Sequence, residues 1–250
     1  MSDKTIALVT GASSGLGREY CRQLAQRCDV VIAVARRQTR LLELQTELAE
    51  VTEIYPVVAD LSTVEGVART IEVLRQRGPV DYLVNNAGIS TYGKFAEQAI
   101  DTQQQMVSLQ INAVMALCRA AIPFMKQRSR GAIINVSSVS SFVPYPTMTV
   151  YGGCKAFLTS FSEALDMELA EHGIKVQCLC PGLVRTEFHV TDSMAAFELS
   201  AVPDSHWGDA ANIVSASLSA LSSDKVIFAP GENNLQACRE GVNRVLQQLK

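Results

Sequence analysis

The chain contains no apolar run approaching the length of a membrane span. Its longest runs, such as VVIAVA at 30–35, are far short of the roughly 20 residues that cross a bilayer, so the sequence reads as that of a soluble protein. Neither sign of charge is in excess: 22 basic and 25 acidic residues leave a net charge of −3. That balance provides no strong field for nucleic acid or an anionic membrane and favours a small-molecule partner. Histidine is scarce, with three residues, and no C-x-x-C pair occurs among the seven cysteines at 21, 28, 118, 154, 178, 180 and 238. Neither a zinc site nor a disulfide framework is indicated, and no metal is expected. Cys178 and Cys180 share one face of a predicted strand, about 6.6 Å apart along it, and read as small buried hydrophobes of a reducing compartment. The start, MSDKTIALVTGASSG, runs into a strand and a glycine loop with no basic, apolar and small-residue succession of a signal peptide. A cytoplasmic location is expected.

What is present is alternation. Strand-length apolar runs begin at TIALVT (5), VVIAVA (30), IYPVVA (54), DYLVN (81), AIINVS (132), IKVQCLC (174) and KVIFA (225). Between them lie helical spacings, for instance Leu41, Leu42, Leu44 and Leu48, or Leu158, Phe161, Leu165 and Leu169. Most of the seven strands lack in/out alternation, as strands covered on both faces do. The order predicts a Rossmann-like, doubly wound parallel α/β sheet in one domain over 1–250. Its expected parts are a cofactor half at about 1–135 and a catalytic segment in 136–250. The latter includes a substrate lid at about 186–207 and a closing helix.

TGASSGLG at 10–17 joins the first strand to the first helix. Gly11, Gly15 and Gly17 permit a sharp turn, admit a pyrophosphate close to the backbone and let the helix pack on the sheet. The spacing is G-x-x-x-G-x-G, and its strand-to-helix context is the one that phosphate binding requires. A turn that merely needs glycine is the alternative. An NAD site normally has a carboxylate at the end of the second strand. Here Ala35 stands at that end, followed by Arg36 and Arg37, with Arg40 one helical turn on. Guanidinium groups suit a 2′-phosphate, so NADP(H) is the inferred cofactor and NAD(H) the lesser candidate. A solvated basic surface is the bland alternative.

YGGCK at 151–155 opens a long amphipathic helix on two glycines, each costing about 1 kcal/mol against alanine. Tyr151 and Lys155, four residues apart, project from one face. A lysine cation beside a phenol favours the phenolate by about 1 to 3 pKa units, which would make Tyr151 a usable acid for reduction and base for oxidation.

Together, TGASSGLG at 10, NNAG at 85, NVSS at 135, YGGCK at 151 and PGLVRTEF at 181 resemble the motifs of the short-chain dehydrogenase/reductase family, in its order and with similar separations, over most of the chain. The resemblance implies strand order 3-2-1-4-5-6-7, a nicotinamide cofactor, and hydride transfer to a carbonyl or from an alcohol. It further implies a set of Asn112, Ser138, Tyr151 and Lys155, with Ser138 orienting the substrate oxygen and Ser137 as rival. Lys155 would also bind the nicotinamide ribose, and Asn112, a mid-helix asparagine expected to be buried, would support a water chain to Lys155. Cofactor contacts implied in the same way are Gly11, Ser13, Ser14, Gly15, Leu16 and Gly17 in the first turn, and Asp60 with Leu61 at the adenine. Asn86, Ala87 and Gly88 would line the cofactor, and Pro181, Gly182, Val184 and Thr186 would hold the nicotinamide amide. Asp60 could equally cap the next helix, and Asn-rich strand ends turn in any case. Dimers or tetramers paired through the fourth and fifth helices are also implied.

Opposite the cofactor, Phe142, Tyr145, Met148, Phe188, Met194 and Phe197 suggest an apolar pocket, with Tyr145 and Phe188 as substrate contacts beside Ser138 and Tyr151. A neutral, lipophilic ketone, aldehyde or secondary alcohol is the expected substrate; simple packing of the lid is the alternative. Two competing classes are a non-catalytic NADP(H) sensor of this fold, which has no need of an acid and its activator, and an unrelated Rossmann-like transferase.

Overall fold

The computed structural model describes residues 4–249. Met1 to Asp3, the first residues of the start read above as lacking a signal segment, and Lys250 lie outside the described residues. Seven strands form one parallel sheet: β1 (Ile6–Thr10), β2 (Val30–Ala35), β3 (Glu53–Val58), β4 (Tyr82–Asn85), β5 (Gly131–Val136), β6 (Ile174–Leu179) and β7 (Ile227–Phe228). Their order is β3-β2-β1-β4-β5-β6-β7. The connecting helices are α1 (Gly15–Ala25), α2 (Gln38–Glu47), α3 (Val64–Arg77), α4 (Ile100–Val107), α5 (Ala113–Arg128), α6 (Thr149–Leu169), α7 (Ala210–Ala220) and α8 (Glu232–Gln248).

The pleat sorts the apolar runs onto two faces. Ile6 and Leu8 of β1 and Val30, Ile32 and Val34 of β2 pack with Leu74 of α3, Leu117 of α5 and Leu158 and Leu165 of α6. The intervening Ala7, Val9, Val31 and Ala33 pack on the other side with Leu24 of α1, Leu41 and Leu44 of α2, and Val214 and Leu218 of α7. Burying one such large side chain contributes about 1.5–3 kcal/mol, and β1 and β2 are buried along their whole length. Proline, which lacks an N–H, falls at Pro56 in the edge strand β3, where a ladder bond is dispensable. The stretch KVIFA narrows to the two-residue β7.

The helical path Ile100–Arg128 has the length and composition of a membrane span. In this fold it is a core helix, with Leu117, Cys118, Ala121 and Met125 buried in the sheet-facing cluster. It is not a uniform α-helix: residues Ser108–Asn112 form a π turn between α4 and α5. The lid stretch is bracketed by a short parallel pair, Leu183–Val184 with Trp207–Gly208. Within it lie 3₁₀ turns at Glu187–His189, Asp192–Met194, Leu199–Ala201 and Asp204–His206. The order in which strands are added reverses between β1 and β4, which run parallel, and this switch point opens a crevice at the carboxyl ends of these strands.

Candidate active site

The glycine turn leaves β1 at Thr10. Gly11 and Gly15 have φ of +69° and +53°, the left-handed region that glycine enters without a Cβ penalty. A Cβ on Gly11 would stand 2.6 Å from Asn86 Nδ2, and one on Gly17 would strike the Gly11 carbonyl. α1 begins with Ser14 in extended conformation, with no side-chain cap bond and no acid in the first turn, so its first N–H groups remain open to an anion. This cradle, shaped by the absence of side chains, fits the pyrophosphate of a dinucleotide.

NNAG is tied to the turn by a residue that motif reasoning passed over. Thr10 Oγ1 accepts from Asn86 N at 2.9 Å and Ala87 N at 3.0 Å, and donates to Val84 O at 3.3 Å, while Asn86 Nδ2 donates to Thr10 O at 2.9 Å. Thr10 immediately precedes the first glycine, and its hydroxyl answers strand-end donors that would otherwise be unpaired. Gly88 faces the buried Gln110, whose Nε2 donates to Ile89 O at 3.1 Å.

Asp60 accepts from Ser62 N at 2.9 Å and Ser62 Oγ at 2.7 Å. The cap of α3 is instead Thr63, which accepts from Gly66 N at 3.1 Å. The alternative of Asp60 as helix cap is thereby corrected. Leu61 is buried in the core behind it.

The second-strand arginines stand beside the glycine turn. Arg37 Nε and Nη2 donate to Ser13 Oγ at 3.2 and 3.0 Å, and Arg37 Nη1 donates to Glu187 Oε2 at 2.6 Å. Arg40 Nη2 lies 3.6 Å from Glu187 Oε1, and Arg36 Nη1 lies 3.9 Å from Asp60 Oδ2. The loop after β6 closes over the turn from the other side. Pro181 O accepts from Val139 N at 3.0 Å, Gly182 abuts Asn234, and Val184 is buried. Thr186 packs its methyl where a Cβ on Gly15 would be, and its Oγ1 accepts from Phe188 N at 3.3 Å.

Ser138, Tyr151 and Lys155 converge between β5 and α6. Ser138 Oγ accepts from Ser140 N at 3.1 Å and donates to Ser140 Oγ at 3.2 Å, and its hydroxyl favours ionisation of the Tyr151 phenol against which it lies. Ser137 Oγ, the rival, donates to Lys155 O at 2.8 Å and lies against Thr159, facing the α6 backbone. Alternation at the end of β5 thus sends one serine to the phenol and the other into the packing. Lys155 Nζ donates to Val136 O at 2.8 Å and lies 5.3 Å from the Tyr151 ring centre.

The electrostatics differ from the sequence expectation. Burial pushes Tyr151 up to about 12, opposed by the Ser138 hydroxyl, rather than the lysine drawing it down. Burial also brings Lys155 down to about 8. Both charged forms lose hydration in the same apolar surround, which outweighs their mutual attraction in the ligand-free protein.

Asn112 also departs from expectation. It is exposed at the end of the π turn, and Gln110 is the buried polar residue of that turn. The wider turn rotates successive side chains away from the α-helical register, and such π turns are frequent at functional sites. No hydrophobic periodicity marks it.

Tyr151 is walled by Met106 and Cys154, with Ile89, Met148 and Phe188 packed against them. The Phe188 ring centre is 5.8 Å from that of Tyr151. Phe197 meets Tyr92 at 5.4 Å, and Met194 is buried. Tyr145 is 45% exposed and lies outside this cluster. The backbone and Cβ of Phe142 abut Gly241 of α8. Cys178 and Cys180 are buried with sulfurs 3.7 Å apart, nearer than their spacing along the strand. Among the described residues, no group of three or more His, Cys, Asp or Glu side chains is placed to hold a metal.

Residues 5–195 match the family described as short chain dehydrogenase. The chain belongs to this family. It is 35% identical over 218 residues to a "probable NADP-dependent dehydrogenase" of Haemophilus influenzae, covering 84% of this short-chain dehydrogenase and 86% of the relative. The structure is similar to that of a short-chain dehydrogenase from Sphingobium yanoikuyae in complex with NADPH, with a TM-score of 0.85, 29% identity and coverage of 98% and 95%. It is also similar to a bulky-bulky ketone specific alcohol dehydrogenase from Comamonas testosteroni, with a TM-score of 0.81, 30% identity and coverage of 96% and 94%. This short-chain dehydrogenase is therefore an oxidoreductase that acts on a small molecule with a nicotinamide cofactor.

Proposed function

We propose that this protein transfers a hydride between NADP(H) and a neutral, lipophilic ketone, aldehyde or secondary alcohol. The observation that carries the reading is Lys155 Nζ 5.3 Å from the Tyr151 ring centre, with the Ser138 hydroxyl acting on the same phenol inside an apolar wall. The NADPH-bound relative and the arginines at the end of β2 support the choice of cofactor.

Gly11, Ser13, Ser14, Gly15, Leu16 and Gly17 would hold the pyrophosphate, and Arg36 and Arg37 the 2′-phosphate. Asp60 and Leu61 would contact the adenine. Asn86, Ala87, Gly88, Pro181, Gly182, Val184 and Thr186 would line the rest of the cofactor. When bound, the nicotinamide supplies the hydride. Ser138 would orient the substrate oxygen, and Tyr151, a phenol neutral at pH 7 and held more firmly so by burial, would donate a proton to that oxygen during reduction. Lys155 would bind the nicotinamide ribose and hold positive charge beside the phenol as the proton leaves. Asn112 would support water leading toward Lys155. Phe188 and Met148 would exclude water from the phenol, and the apolar side chains packed around Tyr151 favour a neutral substrate. Homo-oligomers through α5 and α6 belong to the same proposal, supported by the exposed Met115 and Met167 on these helices.

The test is NADPH consumption across neutral and charged carbonyls, with Tyr151→Phe in parallel. Turnover of neutral carbonyls that disappears in the variant while NADPH binding persists is the expected result. Faster turnover of anionic substrates, or unchanged turnover in Tyr151→Phe, would refute the reading.

A further inference from the structure

The glycine turn and the arginines are joined by a residue that none of the motifs assigns. Glu187 opens the first 3₁₀ turn of the lid stretch, and its two carboxylate oxygens face two different arginines: Oε2 is 2.6 Å from Arg37 Nη1, and Oε1 is 3.6 Å from Arg40 Nη2. Ser14 at the start of α1 adds a small further stabilisation of the same carboxylate. Arg37 is held in place by Ser13 Oγ, so the carboxylate completes a ring of anion-seeking groups from α1, the end of β2 and α2. The Arg37 hydrogen bond, opposed by desolvation, holds the Glu187 carboxyl below its ordinary range, so it is ionised at neutral pH. Arg40 also meets Glu43 at 3.2 Å, whereas Arg37 has Glu187 as its carboxylate partner in this cluster.

We propose that Glu187 is a specificity-determining residue of the cofactor site, occupying the arginines as an internal anion that a 2′-phosphate must displace. Two consequences follow from its position. The carboxylate weakens binding of any dinucleotide carrying the 2′-phosphate, because attraction to Arg37 and Arg40 must be exchanged rather than simply gained. Its displacement also releases the chain at its neighbour Phe188, whose ring lies on Tyr151, and at His189, whose ring meets Trp207 at 5.2 Å. Filling of the 2′-phosphate site is in this way linked to the lid stretch and to the wall of the candidate active site.

The proposal rests on the NADP(H) reading, and its test separates the two. Binding of 2′,5′-ADP and 5′-AMP would be measured by calorimetry, and of NADPH and NADH by fluorescence, for the wild type, Glu187→Gln, Glu187→Ala and Arg37→Ala. Glu187→Gln and Glu187→Ala are expected to tighten 2′,5′-ADP and NADPH about three- to tenfold and to leave 5′-AMP and NADH unchanged. The gain is modest because both partners are near half exposed, and it should shrink at high salt. Trp207, the single tryptophan, should change its emission when 2′,5′-ADP binds the wild type and should already show that change in Glu187→Gln without ligand. Unchanged or weaker 2′,5′-ADP binding in both Glu187 variants would overturn the proposal while leaving the cofactor reading intact. Equal binding of 2′,5′-ADP by Arg37→Ala and wild type would overturn the NADP(H) reading and the proposal with it.

Discussion

Lys155 Nζ lies 5.3 Å from the centre of the Tyr151 ring and donates its hydrogen bond to the Val136 carbonyl, 2.8 Å away. The end of a sheet strand therefore holds the cation in place while the helix places the phenol. Neither group is set by its neighbour alone, since burial disfavours the charged form of both.

The pH dependence follows from that burial. Lys155, brought down from 10.5 to about 8, loses its charge as pH rises through 8, whereas neutral Tyr151 persists to about 12. Reductive kcat/KM, which reports groups of the free enzyme, should be level below pH 7 and fall above 8. A profile at constant ionic strength checks this, and Lys155→Arg should lose the limb near 8 at reduced overall activity. For stability the sign is opposite. Between pH 8 and 10.5 the unfolded chain keeps the lysine proton that the fold has lost, so this group makes stability rise with pH in that window.

The two serines of NVSS should separate cleanly. Ser138→Ala removes the hydroxyl that favours ionisation of Tyr151 and should lower kcat about 10²- to 10⁴-fold with little change in melting temperature. Ser137→Ala leaves the phenol untouched but removes the bond to Lys155 O, a carbonyl that still accepts from Thr159 Oγ1, and should cost about 0.5–1.5 kcal/mol in denaturant unfolding with kcat changed far less.

Gly152 and Gly153 are not equivalent. A Cβ on Gly153 meets nothing within 4 Å, whereas one on Gly152 approaches Ser140 O at 3.4 Å. Both sit inside α6, where glycine costs about 0.5–1 kcal/mol relative to alanine. Gly153→Ala should therefore stabilise the protein by about that amount, seen as a raised Tm, with Tyr151 and Ser138 left in place.

Thr10→Val keeps the shape of the strand end and deletes the acceptor of two backbone N–H groups. Unpaired buried donors cost about 1–3 kcal/mol, so unfolding should shift by that much. Dinucleotide affinity should fall too, because NNAG loses its tie to the glycine turn; calorimetry on the folded variant checks the second effect.

By itself the sequence determined the parallel sheet, its seven strands, the glycine turn and the shared helix face of Tyr151 and Lys155. Apolar runs covered on both faces, glycine at positive φ and a four-residue helical spacing are local rules, and the strand order followed from the resemblance those motifs carry. Tertiary structure decided what depends on contacts between distant segments. It chose Ser138 over Ser137 through the α6 backbone, and Thr63 over Asp60 as helix cap. It turned Asn112 outward through a π turn that leaves no periodic trace. It set Tyr151 and Lys155 by desolvation rather than by their own attraction, because the dielectric around a charge is fixed by everything packed against it. And it brought Glu187 to Arg37 across 150 residues of chain, a pairing that becomes visible only when the loop after β6 folds back over the glycine turn.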